Sequence, residues 1–407
     1  YLTLYPNVSN ASYFNFTYNG NTISSLTNAG TYRLGITLSP NIASNYLLNS
    51  SFAPSLTINP APLRISGSVA ANKTYDATTS AVVTAGSLSG LIGAETLNVT
   101  ATGVFSSSNV GALTVTPSYT LVNGTNGGLA SNYVITSPST LSASITPANL
   151  QLTGTRAYDG TTLVTGASLS AKGVGTQSFS VTGSGYDIAS PYPQTNSLLT
   201  SLNGLSLGTG LNGALSTNYN ALTLAGSTYS ITPKALTVSG TSVATKTYDG
   251  TTVATLSNGT LVGVVAGDVV TLSQSGLFAT SSAGVSKAVT ATDSISGASS
   301  SYYTLTQPTG LTASITAKAL TVLGTTVSTK TYDGTAVATL TGGSLNGIIS
   351  GDTVTLTQAG SFSTVNAGTS VAVTASDTLG GASAANYSIT QPTGLTGIIL
   401  PKSLTVT

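Results

Sequence analysis

Along most of the chain, apolar residues alternate with serine and threonine. Ala235-Leu236-Thr237-Val238-Ser239, Val269-Val270-Thr271-Leu272-Ser273, Ala288-Val289-Thr290-Ala291-Thr292 and Tyr303-Thr304-Leu305-Thr306 all follow this pattern. A period of two turns one face of a strand toward a core and the other toward water. Between these runs stand Asp249-Gly250, Asn258-Gly259, Gly267-Asp268 and Gly342-Gly343, pairs that tolerate the backbone of tight turns. Short strands at roughly 8–12-residue spacing predict an all-β chain built from small antiparallel, immunoglobulin-like sandwiches. Amphipathic helices are not expected: Glu occurs once, at Glu95, and basic residues are sparse.

The pattern also repeats on a longer scale. Lys-Thr-Tyr-Asp recurs at Lys73–Asp76, Lys246–Asp249 and Lys330–Asp333, with Arg156-Ala157-Tyr158-Asp159 as a weaker form. Tyr75, Tyr158, Tyr248 and Tyr332 are spaced 83, 90 and 84 residues apart. A second landmark, usually Asn-Tyr, falls at Tyr46, Tyr133, Tyr219, Tyr303 and Tyr387. A third is the Ser-Ile-Thr junction at 144–146, 230–232 and 314–316. Residues 234–317 and 318–401 share 51 of 84 positions without a gap. The expected organisation is a partial unit at 1–58, repeats at 59–147, 148–233, 234–317 and 318–401, and the first strand of another at 402–407. The array is expected to continue beyond both ends.

From Leu311 to Val322 no Gly or Pro interrupts the pattern, so the last strand of one repeat should run almost directly into the next. Pro147, Pro233 and Pro401 would fix φ at such crossovers. Connectors this short leave little hinge freedom, and five units of roughly 30–40 Å each predict an elongated rod.

Composition narrows the chemistry. Charged residues are only 5% of the 407, and the net charge is +1, which argues against nucleic-acid binding by charge. The absence of His, Cys, Met and Trp removes the usual general base, the thiol nucleophile, disulfides and the commonest metal ligands. Apolar runs are broken well short of the roughly 18 residues a membrane helix needs. No basic and apolar leader follows Tyr1, so any secretion signal is expected to have been removed or to lie upstream.

The Lys-Thr-Tyr-Asp-Gly-Thr-Thr string at 246–252, Asn-Ala-Gly-Thr-Tyr at 28–32, the Asn-Tyr landmark and the Ser-Ile-Thr-Pro-Lys-Ala-Leu-Thr-Val junction at 230–238 resemble YDG-type and related MBG-type repeats. The resemblance covers nearly the whole chain, most clearly 59–401. It implies part of a large bacterial surface or secreted adhesin similar to filamentous haemagglutinin and exported by two-partner secretion. The implied location is extracellular, on the cell surface or in a secreted matrix. Departures are Ala77 in place of the motif Gly, Arg156-Ala157 in place of Lys-Thr, and an insertion around Ser190–Gly210.

The motif pairs Tyr75-Asp76, Tyr158-Asp159, Tyr248-Asp249 and Tyr332-Asp333 admit two readings. An aromatic ring beside a carboxylate can bind sugar. A tyrosine closing a core beside an Asp-Gly turn, with the Lys stem lying over that core, serves the fold alone. Recurrence in every repeat favours the fold. The acids Asp249, Asp268 and Asp293, with Asp333, Asp352 and Asp377 in the next repeat, could in principle converge on Ca²⁺, but they lack close loop spacing and read better as solvated turn aspartates. Glycoside hydrolysis by paired carboxylates and a Ser/Lys nucleophile using Lys234, Lys246 or Lys318 are weaker readings. Sequons at Asn7, Asn10, Asn15, Asn49, Asn72, Asn98, Asn123 and Asn258 allow glycan decoration.

The expectation is therefore a protein without catalytic, metal or cofactor residues and without a membrane span. It would act as the rigid stalk of an adhesin or as a self-associating matrix filament. Its partners would be copies of itself, other surface or matrix molecules, or host glycans.

Overall fold

In the computed structural model, residues 14–23, 27–41, 43–44, 47–48, 54–136 and 140–406 are described. Tyr46, Asn7, Asn10 and Asn49 fall outside them. The described chain is all-β, and its helical segments are single 3₁₀ turns. It divides into two compact units. The first comprises 1–154, 163–188 and 198–229, and the second 155–162, 189–197 and 230–407.

Within the second unit, the two most similar repeats share one topology. In the first of them, Lys234–Ser239 lies between Thr260–Val262 and Tyr303–Thr306. A five-stranded sheet runs Lys246–Thr247, Thr312–Thr316, Gly284–Ala291, Gly276–Phe278, Val253–Ala254. The following repeat repeats this order from Lys318–Leu323 to Leu395–Leu400. In the first unit, Ala61–Ser66 likewise lies between Ser87–Ser89 and Tyr133–Thr136, beside a six-stranded sheet.

The sheets that hold the opening strand and the Lys-Thr strand are mixed, where the strand spacing predicts antiparallel ones. In each of these three repeats, the opening strand pairs in parallel with the landmark-tyrosine strand. The Lys-Thr strand pairs in parallel with the closing strand. Parallel partners need a long crossover, and the intervening body of the repeat supplies it.

The alternating residues fill the cores as the pattern requires. Leu236, Ile315, Phe278 and Leu320 are almost wholly buried. One cluster joins Tyr248, Leu256, Phe278, Val289 and Ile315 to Leu320 and Tyr387 of the following repeat, so apolar packing is continuous across that junction. The connectors are short: only Ala317 separates Thr312–Thr316 from Lys318–Leu323, and only Pro233 separates Thr228–Thr232 from Lys234–Ser239. Residues 402–406 form no strand and are exposed. In the repeats described above, the pairing partners of an opening strand come later in the same repeat.

Candidate functional site

The recurring motif builds a small turn and a junction. At the turn, the Lys246 ammonium donates to Asp249 Oδ1 at 2.8 Å and to the Thr251 and Val253 carbonyls at 2.8 and 3.0 Å. It also lies 5.8 Å from the centre of the Phe278 ring. Asp249 Oδ1 accepts the Thr251 N–H and hydroxyl, each at 2.9 Å. Lys73 with Asp76, Thr78 and Phe105, and Lys330 with Asp333, Thr335 and Phe362, reproduce the arrangement. Arg156 pairs with Asp159 at the divergent motif. The Lys246 ammonium holds Asp249 at about 2, with the Thr251 donors assisting and burial opposing. Lys330 and Thr335 hold Asp333 likewise at about 2.

The motif glycine has a conformational and a steric reason. Gly160, Gly250 and Gly334 have φ of 79°, 78° and 78°, a region costly for residues with a Cβ. Ala77 adopts the same region at 64° in the first motif. A Cβ on Gly160 would sit 2.9 Å from Val265 Cγ1, and one on Gly250 would sit 3.2 Å from Ile349 Cγ2. Both neighbours belong to the following repeat.

The tyrosine reaches across the same boundary. The Tyr248 hydroxyl donates to Asp352 Oδ2 at 2.9 Å, the Tyr387 hydroxyl donates to that oxygen too, and the two rings meet edge to face at 5.3 Å. One boundary earlier, Tyr158 and Tyr303 both donate to Asp268, with ring centres 5.6 Å apart. In the first unit, Tyr75 and Tyr219 meet at 5.4 Å over Gln177, whose amide exchanges hydrogen bonds with the Tyr75 hydroxyl. Burial, then the Asp352 acceptor, push the Tyr387 phenol up to about 12. Tyr158 is raised further for the same two reasons, burial and Asp268. Hydrogen bonds from Tyr387 and Tyr248 lower Asp352.

A 3₁₀ turn before each landmark tyrosine delivers one further contact. Asn132, Asn218 and Asn386 end such turns. Their side-chain carbonyls accept the N–H of Ala29, Val110 and Ala283 in the preceding repeat, at 2.8, 2.9 and 2.9 Å. Tyr302 occupies this position in the remaining case and stacks on Tyr192 of the insertion, at 4.8 Å and 24°.

Several expectations from sequence change here. Tyr75, Tyr158 and Tyr248 close cores, but with the next repeat as their lid, whereas Tyr332 is 39% exposed. Asp268 and Asp352 are junction acceptors, not solvated turn residues. Asp293 and Asp377 are buried, each accepting a backbone N–H at 3.0 Å. The aspartates of one repeat therefore have separate partners, and no group of three or more acids that could hold a metal occurs among the described residues. The rings of Tyr75, Tyr158 and Tyr248 are covered by protein, which removes the open aromatic face a sugar would stack on. Glu95, Gln177, Asp268 and Asp352 were not singled out as partners from sequence. The available signal was an Asp 35 residues before the landmark tyrosine in two repeats.

These repeats define a class of modular β-rich tandem arrays. Residues 59–141, 232–310 and 316–394 match the YDG domain, more than half of the chain, and the chain belongs to that family. Comparison with curated proteins finds no match. No helix among the described residues is long and apolar enough to cross a membrane.

Proposed function

We propose that the chain is a non-enzymatic spacer, the stiff stalk of a large bacterial surface or secreted adhesin that projects a separate binding region. The observation that carries this reading is the junction repeated three times: two tyrosines from successive repeats sharing one Asp or Gln. Connectors of a single residue at 233 and 317 support it, because a hinge needs slack that they do not provide. The covered tyrosine rings and tightly tied motif acids leave those groups little scope for chemistry. An extracellular setting rests on the resemblance to haemagglutinin-like exoproteins. Small-angle scattering of the purified chain tests the stalk: a maximum dimension above about 130 Å is expected, against a radius of gyration near 22 Å for a compact particle of this length.

A second reading, a self-associating filament, draws support from outward apolar residues on the larger sheets. Val69, Val82 and Val104 are 61%, 73% and 54% exposed, and Val253 and Val337 are 60% and 68% exposed. With so little charge, lateral contact would meet weak repulsion. Sedimentation across protein concentration separates the two, since a strict monomer at millimolar chain removes the filament.

A further inference from the structure

A junction has two halves, and in the 318–401 repeat one of them is uncovered. Tyr332 is 39% exposed, where its equivalents Tyr75, Tyr158 and Tyr248 are 3–5% exposed. The Asn366-Ala367-Gly368 loop corresponds to Asn28-Ala29-Gly30, Asn109-Val110-Gly111 and Ser282-Ala283-Gly284. In those three loops the middle N–H is taken by an asparagine of the following repeat. The uncovered loop already has the engaged shape: Asn366 N–H donates to Thr364 Oγ1 at 3.2 Å, as Asn109 N–H donates to Ser107 Oγ at 3.0 Å. Ala367 is exposed, whereas Ala29, Val110 and Ala283 are half-buried.

The junctions come in two chemistries. Three use asparagine on a backbone N–H. The fourth stacks Tyr302 on Tyr192, whose N–H donates to Ser190 Oγ as Asn109 and Asn366 donate within their own loops, and the middle residue of this loop is Pro193, which has no N–H to give. The two partners change together, so the residue before the landmark tyrosine and the loop of the preceding repeat form a matched pair. A tyrosine in place of asparagine would leave the loop N–H unpaired at a covered surface, which is unfavourable.

We propose that Tyr332 and the Asn366-Ala367-Gly368 loop form a docking surface for a repeat joined at Lys402, and that this surface selects a repeat of the asparagine type. The occupant carries Asn before its landmark tyrosine and an Asp or Gln acceptor some way earlier, as Asp352 precedes Tyr387 by 35 residues and Gln177 precedes Tyr219 by 42. Continuity with the occupied junctions identifies it: Lys402-Ser403-Leu404-Thr405-Val406 matches the opening residues Lys234-Ala235-Leu236-Thr237-Val238 at four of five positions. The matching rule is independent of where the protein works.

The test extends the full chain after Pro401 with a copy of 318–401 that carries Tyr332→Phe, so that a single tyrosine of that sequence reports. Nitration of Tyr332 by tetranitromethane is followed by peptide mass spectrometry, with buried Tyr248 as internal reference. The matched copy should slow nitration of Tyr332 about eightfold, the ratio of 39% to 5% exposure. A copy that also carries Asn386→Tyr should leave it at the rate of the parent chain. In the unextended chain, Asn386→Tyr should speed nitration of Tyr248 toward the rate of Tyr332, a measurement that needs no appended repeat to fold. Unchanged Tyr332 nitration beside the matched copy would overturn the docking surface. Equal protection by both copies, or an unmoved Tyr248 in the Asn386→Tyr chain, would overturn the matching rule.

Discussion

Tyr248 and Tyr332 hold the same position in two repeats that share 51 of 84 residues, yet they are 5% and 39% exposed. Replacing each by alanine makes a matched pair in which the neighbour is the main difference. Tyrosine buries on the order of 200 Å², so a third of that area is roughly 70 Å², or about 1.7 kcal/mol at 25 cal/mol per Å². The edge-to-face contact with Tyr387 adds about 0.5–1.5 kcal/mol. Tyr248→Ala should therefore cost about 2–3 kcal/mol more than Tyr332→Ala, and its total should fall near the 3–5 kcal/mol of other large aromatic truncations. Because Leu320, Ile349 and Tyr387 share the Tyr248 cluster, the loss should reach both sides of the junction. A single melting midpoint would blur this in a repeat array. Hydrogen exchange resolved by mass spectrometry reads each repeat separately. Faster exchange in both 234–317 and 318–401 for Tyr248→Ala, and only mild loosening of 318–401 for Tyr332→Ala, is the expected result. Equal destabilisation by the two substitutions would refute the neighbour as the source of Tyr248's contribution.

Ala77→Gly should stabilise the 59–147 repeat by about 1 kcal/mol, because it relieves a side chain held at φ 64°; thermal unfolding with no gain would count against this. Gly250→Ala should do the reverse, aggravated by the 3.2 Å approach of Ile349, and exchange at Thr251 would report it. Tyr387 is raised from 10.0 to about 12, so the fold favours its neutral phenol. That contribution is complete below about pH 10 and disappears as the pH rises through 12, a loss that phenolate absorbance followed alongside unfolding would reveal. Asp249 and Asp333 are lowered from 3.8 to about 2. Their contribution is present above pH 3.8 and is lost as the pH falls through 2, which carbon NMR of the carboxyl groups would trace.

The strands, turns and repeat landmarks were legible because they are local: a period of two, Asp-Gly pairs and a constant distance between tyrosines. The lysine stem over the core was foreseeable from its spacing to the tyrosine, although the Phe278 ring near its ammonium was not. What could not be read was the far half of the junction. Tyr248 and Asp352 are 104 residues apart, and nothing near either residue announces the other. Gly267-Asp268 looks like ordinary turn chemistry, and its role emerges only when Tyr158 of the preceding repeat packs against it. The acceptor also changes type, from Gln177 to Asp268 to Asp352, so no single residue marks the position. Parallel pairing escaped for a related reason, since alternation fixes which face is buried but not the direction of the neighbouring strand.

The two halves of a junction are unequal, and this gives the array a direction. Tyr133 is buried and hydrogen-bonded to Glu95 of its own repeat, although the described residues between 14 and 58, on the preceding side of its boundary, carry no Tyr-Asp pair. Tyr332, the opposite half, is 39% exposed with no following repeat packed on it here. A socket is thus complete as soon as its own repeat folds, while the plug of each repeat waits for its successor. During synthesis, which releases the amino-terminal repeats first, every new repeat would arrive with a finished socket and would seal the one before it.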